Sequence, residues 1–310
     1  MSHVIKADLH YHGPIGLQPY WLKVQGYVGK NLLTEIFDAC AKRDINLCAI
    51  TSDEDKIPFN SIHDRFNWLK NKYAIGIRKP YSFDVLGKNV ALMYNEYQNK
   101  SLYIVNGQTV RTREKEISEF DGLTKKGIAD YLVIGTNQIP NHRPLEETVK
   151  RVYESGNCIG IAEHAFCTAH GGMDRDNLER LLPYMHAIEG HNSQLIFNRL
   201  TKLPIVGKKF AKYRRELNEE AQKYALQKDK PWIATSDGHR IEDVGISSIT
   251  FAEELLDTHS EEKFVTSFNK IIVTKNFSQQ CAYQNIFGWF DWTLKLQSGF
   301  KIVEQEKNKL

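Results

Sequence analysis

Val4-Ile5-Lys6-Ala7-Asp8-Leu9-His10-Tyr11-His12 is a β-branched, largely apolar run that passes directly into two imidazoles two residues apart. It reads as a strand whose C-terminal end carries chemistry. Side chains at i and i+2 of an extended chain point the same way, so two histidines so placed can grip one metal ion. Runs of similar character follow at Leu47 to Thr51, Leu102 to Val105, Tyr131 to Ile134, Cys158 to Ala162, Ala187 to Glu189 and Trp232 to Thr235. Helical periodicity separates them. Leu32, Leu33, Ile36, Phe37 and Cys40 share one stripe, and Leu145, Val149, Val152 and Tyr153 share another that stops at Gly156. Strands alternating with helices in this way predict an α/β fold with a parallel sheet, open or closed into a barrel, in a single domain.

The 310 residues suffice to bury a core without disulfide or metal staples. Hydrophobic residues at 41% and charged residues at 25% are typical of globular domains. No run of about 18 apolar residues is present, which excludes helical membrane insertion. The N-terminal residues show no basic stretch followed by an apolar segment and a cleavage site, so a cytoplasmic location is expected. Five cysteines without a C-x-x-C pair suggest neither a disulfide framework nor a zinc ribbon; they are expected to be reduced and mostly buried. A net charge of +3 is too small to draw nucleic acid by bulk electrostatics. The charged segment Lys202 to Lys230, with Lys208, Lys209, Lys212, Arg214 and Arg215 close together, reads as a solvated helix face. Phe287, Trp289, Phe290 and Trp292 mark a C-terminal segment. Residues 1–286 are therefore assigned to the α/β body, and 287–310 to a segment that packs on it or serves as an interface for a protein partner.

The polar residues with chemical potential fall at strand ends, the face where loops assemble a site in parallel α/β folds. After the second strand come Ser52-Asp53-Glu54-Asp55, carboxylates that repel one another unless solvated or facing a cation. The fifth strand ends in Glu163-His164, and the seventh in Ser236-Asp237-Gly238-His239. Convergence of these groups with His10 and His12 would form a mixed nitrogen and oxygen site, which suits Zn²⁺, Mn²⁺ or Fe²⁺ better than Mg²⁺ or Ca²⁺. The phosphate-binding loop, the dinucleotide fingerprint and the serine-hydrolase elbow are all missing from the sequence.

The order of these motifs resembles the polymerase-and-histidinol-phosphatase (PHP) superfamily. The resemblance rests on Asp8-Leu9-His10-Tyr11-His12, Ser52-Asp53-Glu54-Asp55, Gly107-Gln108-Thr109, Ile161-Ala162-Glu163-His164-Ala165, Ile188-Glu189-Gly190-His191-Asn192 and Ser236-Asp237-Gly238-His239, and spans residues 4 to about 247. It implies a distorted (β/α)7 barrel whose strand ends hold one to three divalent ions and hydrolyse phosphoesters. It further implies that His10, His12 and Asp237 hold one ion and His164 and His239 others; Asp53, Glu54 and Glu163, as carboxylate donors at the same strand ends, are expected as further ligands. This chain departs from the pattern at Glu54, where the family usually has a histidine, and at Thr109, where it has a metal-bridging glutamate. His164 or His239 is expected as an acid toward the leaving group, and His142, Arg143 and Arg240 as phosphate contacts. The expected substrate is a phosphorylated small molecule, a nucleotide or a nucleic-acid end. A barrel that has lost activity and serves as a binding subunit is the alternative that Glu54 and Thr109 raise. An amidohydrolase-like enzyme is another, against which stands the lack of a well-placed lysine at a strand end.

Overall fold

The computed structural model describes residues 3–16, 29, 31–52, 61–73, 81–113, 128–197 and 214–294. The strands are β1 (Val4–Tyr11), β2 (Leu47–Ser52), β3 (Tyr81–Val85), β4 (Val90–Asn95), β5 (Lys100–Arg113), β6 (Ile128–Ile134), β7 (Ile159–Ala162), β8 (Ala187–Asn192), β9 (Trp232–Thr235), β10 (Ser248–Ala252) and β11 (Ser278–Gln280). They join in one sheet ordered β11-β10-β1-β2-β5-β6-β7-β8-β9, with the β3–β4 hairpin attached to β5 through β4. All the strands expected from sequence are present, and the β3–β4 hairpin, β10 and β11 are additional.

The expected uniform direction does not hold. The pairs β1–β2, β2–β5, β7–β8 and β8–β9 are parallel, but β6 runs antiparallel to both β5 and β7. Direction is recovered by the segment after β6, which climbs back beside β5. There the Ile139 N–H donates to Gln108 Oε1 at 3.1 Å, the His142 N–H to the Arg111 carbonyl at 2.6 Å and the Arg113 N–H to the Arg143 carbonyl at 2.9 Å. After α1 (Leu32–Lys42) and α2 (Ile62–Tyr73), helix α3 (Leu145–Ser155) therefore starts at the end where β5 finishes, and β7 regains the common direction.

The sheet curls until its ends nearly meet. Tyr11 bridges Gly238 in parallel, and the Gly13 N–H donates to the Gly238 carbonyl at 2.8 Å. The Ser236 N–H donates to Asp8 Oδ1 at 3.2 Å. Nearer the start of β1, β10 fills the remaining gap antiparallel, from Val4 opposite Ala252 to Ala7 opposite Ile249. The result is a nearly closed, distorted barrel in a single domain.

Burial follows the alternation of side chains on each strand. Ile5, Ala7, Leu9, Leu47, Ala49, Val105, Leu132, Ile134, Ile159, Ile161, Ala187 and Ile233 form the inner cluster. Phe264, Val265, Phe268, Ile271 and Ile272 of a helix at Glu261–Val273 belong to the same cluster and stopper the barrel at the end where β5 begins. Outside, α1 (Leu32–Lys42) buries Leu32, Leu33, Ile36, Phe37 and Cys40, the stripe expected from spacing. Helix α3 buries Leu145, Val149 and Val152 and ends at Gly156, whose φ of 66° is the left-handed turn that glycine adopts without strain. Tyr153 lies at the edge of that stripe, 44% exposed.

Lys208, Lys209 and Lys212 lie outside the described residues. Arg215 departs from the solvated reading: its guanidinium sits 3.9 Å from the Tyr283 ring centre, and its Nε–H donates to the Ile196 carbonyl at 2.9 Å. Four of the free cysteines are buried and Cys281 is exposed. Among the described residues, no helix is long and apolar enough to cross a membrane.

Candidate metal centre

The end of the barrel opposite the helical stopper collects the chemistry-bearing residues. His10 and His12, at the end of β1, bring their Nε2 atoms to 3.0 Å from each other. Asp237 Oδ1, just beyond β9, lies 3.4 Å from His10 Nε2 and 3.3 Å from His12 Nε2. Glu163 Oε1, just beyond β7, lies 3.5 Å from His10 Nε2 and 2.9 Å from His164 Nε2. All five side chains are buried.

Neighbours fix which nitrogens carry protons. His10 Nδ1 lies 2.7 Å from Glu189 Oε1, and His12 Nδ1 lies 3.0 Å from the Thr51 carbonyl oxygen. Both partners only accept, so both Nδ1 atoms must donate. In neutral imidazoles this leaves the two Nε2 lone pairs facing each other at 3.0 Å, with carboxylate oxygens of Asp237 and Glu163 beside them. Lone pairs converging in a buried space repel, and only a proton or a cation between them relieves that. Without a metal the site must take up protons. Burial alone would depress the pKa of His164, but Glu163, Glu189 and Asp237 overcome it and raise it to about 9. Burial likewise opposes the charge on His10, and Asp237, Glu163 and Glu189 push it well above the ordinary histidine value.

This protonation has a testable consequence. Histidines with raised pKa contribute stability that is fully present below their unfolded value and is lost as pH rises through the folded one. Chelator-treated protein is expected to lose several degrees of melting temperature between pH 6.5 and about 9, the window set by His164. Protein loaded with a divalent ion should hold its melting temperature there, because the cation replaces the protons. Equal pH dependence in both forms would contradict this account of the cluster.

Residues not singled out from sequence as site residues hold the ligand geometry. Glu189 accepts from His10 on Oε1, and on Oε2 from the His164 backbone N–H at 2.6 Å and the Asn192 amide at 3.2 Å; the Thr235 hydroxyl donates to Oε1 as well. Asn192 Nδ2 also donates to Asp237 Oδ2 at 3.0 Å, and Gln194 Nε2 to the Asp237 carbonyl at 2.8 Å. Asp8 accepts N–H groups from Ser236 and Gly245 at 3.2 and 2.7 Å, tying β1 to the loop after β9. Burial raises the Asp8 pKa to about 6 against these bonds. Ile188-Glu189-x-x-Asn192 was visible as a motif, but nothing in its spacing showed that Glu189 turns inward.

The backbone bends where it presents ligands. Asp237 and His164 have φ of 47° and 28°, in the left-handed region that non-glycine residues avoid. Asp237 and His239 therefore do not project as an extended pair. Asp237 reaches the two histidines, while the His239 ring lies 4.7 Å from that of His12 and stacks on Trp292 at 4.6 Å. Gly172 backs the His164 turn: a Cβ there would lie 2.0 Å from the His164 carbonyl oxygen. Gly172→Ala is expected to cost about 1–3 kcal/mol through overpacking against backbone. It should also weaken metal retention by displacing the Glu163-His164 turn, measurable by denaturant unfolding with metal analysis of the same sample.

The remaining sequence-predicted site residues lie elsewhere. Asp53 and Glu54 fall outside the described residues. His142 and Arg143 are exposed beside the end of β5. Arg240 is paired with Asp243, its Nη2 to Oδ1 distance being 2.6 Å, and lies against Gly288 and 3.9 Å from Asp291. A helix at 286–294 covers this side. Trp289 and Trp292 are buried, Trp289 against Phe197 at 5.1 Å, while Phe287 and Phe290 face solvent.

A nearly closed α/β barrel that gathers His10, His12 and Asp237 in one buried cluster, with ligand atoms within 4.8 Å of one another, can hold a metal ion. Residues 215–270 match the family model described as PHP-associated, which supports membership of the PHP superfamily. The crystal structure of PsfC from Pseudomonas syringae PB-5123 is similar in fold, with a TM-score of 0.53 over 97% of this chain and 99% of that chain at 13% identity. No curated protein matches the sequence.

Proposed function

We propose that this chain is a cytoplasmic metal-dependent phosphoesterase acting on a phosphorylated small molecule or nucleotide. The observation that carries this reading is the pair of opposed Nε2 lone pairs of His10 and His12, 3.0 Å apart and flanked by Asp237 and Glu163. That donor set fits a divalent ion such as Mn²⁺, Fe²⁺ or Zn²⁺. His10, His12, Asp237 and Glu163 would hold it, and His164 with Glu163 offers a place for a second. Glu163 Oε2 and His164 Nδ1 are buried without a hydrogen-bond partner among the described residues, which suits atoms kept for a ligand.

When bound, such an ion supplies a nucleophile from water near neutral pH and offsets the charge of phosphoryl oxygens. The protein's own groups set the geometry. Glu189 orients His10, the Thr51 carbonyl orients His12, and Asn192 and Gln194 fix Asp237; supporting bonds of this kind are each worth about 10–100-fold in metal affinity or activity. When a single ion is held by His10, His12 and Asp237, His164 is the candidate acid for the leaving oxygen. His239 has Nδ1 2.9 Å from the Asp237 carbonyl, so its Nδ1–H donates there and Nε2 is left as the reactive nitrogen.

The test is metal analysis of protein purified without chelator, followed by hydrolysis assays on phosphomonoesters and phosphodiesters with Mn²⁺, Fe²⁺ and Zn²⁺. One or more equivalents of metal together with metal-dependent phosphate release is the expected result. Metal-free protein that gains neither ions nor activity on reconstitution would sink the proposal.

A further inference from the structure

The inward face of the barrel mouth is electrically divided. β6 to β9 bring acceptors to it: Asp130, Glu163, Glu189 and Asp237, all buried. β5, two strands from β1 on one side and two from β7 on the other, brings donors. The registers show this. Val105 belongs to the inner cluster, so Gly107, Thr109 and Arg111 follow it on the same face, and the β5–β6 ladder runs unbroken from Gly107 opposite Ile134 to Arg113 opposite Ile128. Arg111 lies opposite Asp130, with Nε 4.0 Å from Oδ1. Leu132 pairs with Ile161, so Asp130 and Glu163, each one inward step further up, stand at one level. Arg111 therefore stands at the height of the metal-binding residues. On the β2 side, Thr51, whose carbonyl holds His12, pairs with Gly107, which puts Thr109 and Arg111 just above that contact.

Two features make this wall receptive to an anion. The Thr109 hydroxyl is buried, in a residue 2% exposed, and has no hydrogen-bond partner among the described residues. The Arg111 side chain is 34% exposed while Asp130 beside it is 5% exposed, so part of the Arg111 side chain is open to solvent at this end of β5. A guanidinium carries five N–H donors in a fork that matches carboxylate and phosphate oxygens.

We infer that Thr109 and Arg111 form an anion-binding wall of the site, which selects small substrates bearing a second anionic group, a carboxylate or a phosphate, beyond the phosphoester that is cleaved. The inference rests on the phosphoesterase reading for the position of the scissile group. It narrows the substrate to compact, doubly anionic phosphoesters.

The experiment is titration calorimetry on the full chain with phosphonoacetate, which has two anionic groups, and methylphosphonate, which has one, with metal content measured on the same samples. Phosphonoacetate is expected to bind about tenfold or more tightly than methylphosphonate, the scale of one charge-assisted hydrogen bond. Arg111→Gln should abolish most of that preference and leave methylphosphonate binding and metal content unchanged. Thr109→Val, which replaces an unpartnered hydroxyl with a methyl of the same shape and so is expected to fold, should reduce the preference as well. A preference absent in the wild type, or unchanged in both variants, would overturn the wall. A chain without metal that keeps an Arg111-dependent preference would support the wall and overturn the metal-centre reading instead.

Discussion

Replacing His10 and Asp237 together by alanine is expected to strip the chain of divalent metal and abolish metal-dependent hydrolysis, while the barrel still folds. The two residues are the centre of the buried cluster, His10 touching His12, Glu163 and Asp237, and Asp237 touching both histidines. Loss of a residue that merely supports a ligand costs about 10–100-fold in metal affinity, so losing two ligands should cost on the order of 10⁴-fold or more. The fold should survive because both side chains sit above the apolar inner cluster and because Glu189 keeps its bonds from the His164 N–H, the Asn192 amide and the Thr235 hydroxyl when His10 is lost. Metal analysis, phosphate release and circular dichroism on the same preparation check the three parts. A folded double variant that retains its metal would place the ion elsewhere.

Glu189→Ala should be the most damaging single change at the site. It strands the His10 imidazole N–H, the His164 backbone N–H, the Asn192 amide and the Thr235 hydroxyl in a buried space. Burial alone would raise the Glu189 pKa, but His10 and then His164 hold it below the ordinary glutamate value, so the side chain is ionised at neutral pH. Removing one partner of such a buried ionic network costs about 3–5 kcal/mol, a large part of the roughly 5–15 kcal/mol that holds a domain together. Glu189→Gln separates stability from function. The amide keeps the shape and can accept from His10 but loses the charge, so denaturant unfolding should show a smaller loss while metal affinity falls about 10–100-fold. If Glu189→Gln matched the wild type in metal affinity, the claim that the Glu189 charge supports the metal site through His10 would fail.

The sequence made much of this legible because apolar alternation and helical stripes are local signals. The β1, β2, α1 and α3 readings followed from β-branched runs, from the spacing of Leu32 to Cys40, and from Gly156 at a helix end. Strand direction is not local: an apolar run reads the same whichever way it pairs, and β6 was therefore expected parallel. The β3–β4 hairpin carried a turn signal at Gly87-Lys88-Asn89 that its mixed flanks, Tyr81–Val85 and Val90–Asn95, obscured. At the site, His10, His12 and Asp237 were legible as pairs of potential ligands at strand ends. Glu189 was not, because its inward orientation depends on the β8 pairing, whose register shifts between Glu189 and His191. The different fates of Asp237 and His239 depend on a positive φ that no residue-type pattern requires.

The seam that closes the barrel also sets when this protein can become itself. Asp8 waits for Ser236, 228 residues further along the chain. At typical synthesis rates of about 5–20 residues per second, the first strand leaves the ribosome roughly ten to fifty seconds before the strand that completes its ring. During that interval β1 can pair with β2 but presents its other edge, an open row of backbone donors and acceptors, to whatever is near. Misassembly during synthesis is then a hazard this architecture carries, and a chaperone that shields the nascent N-terminal half would raise the yield of closed barrels.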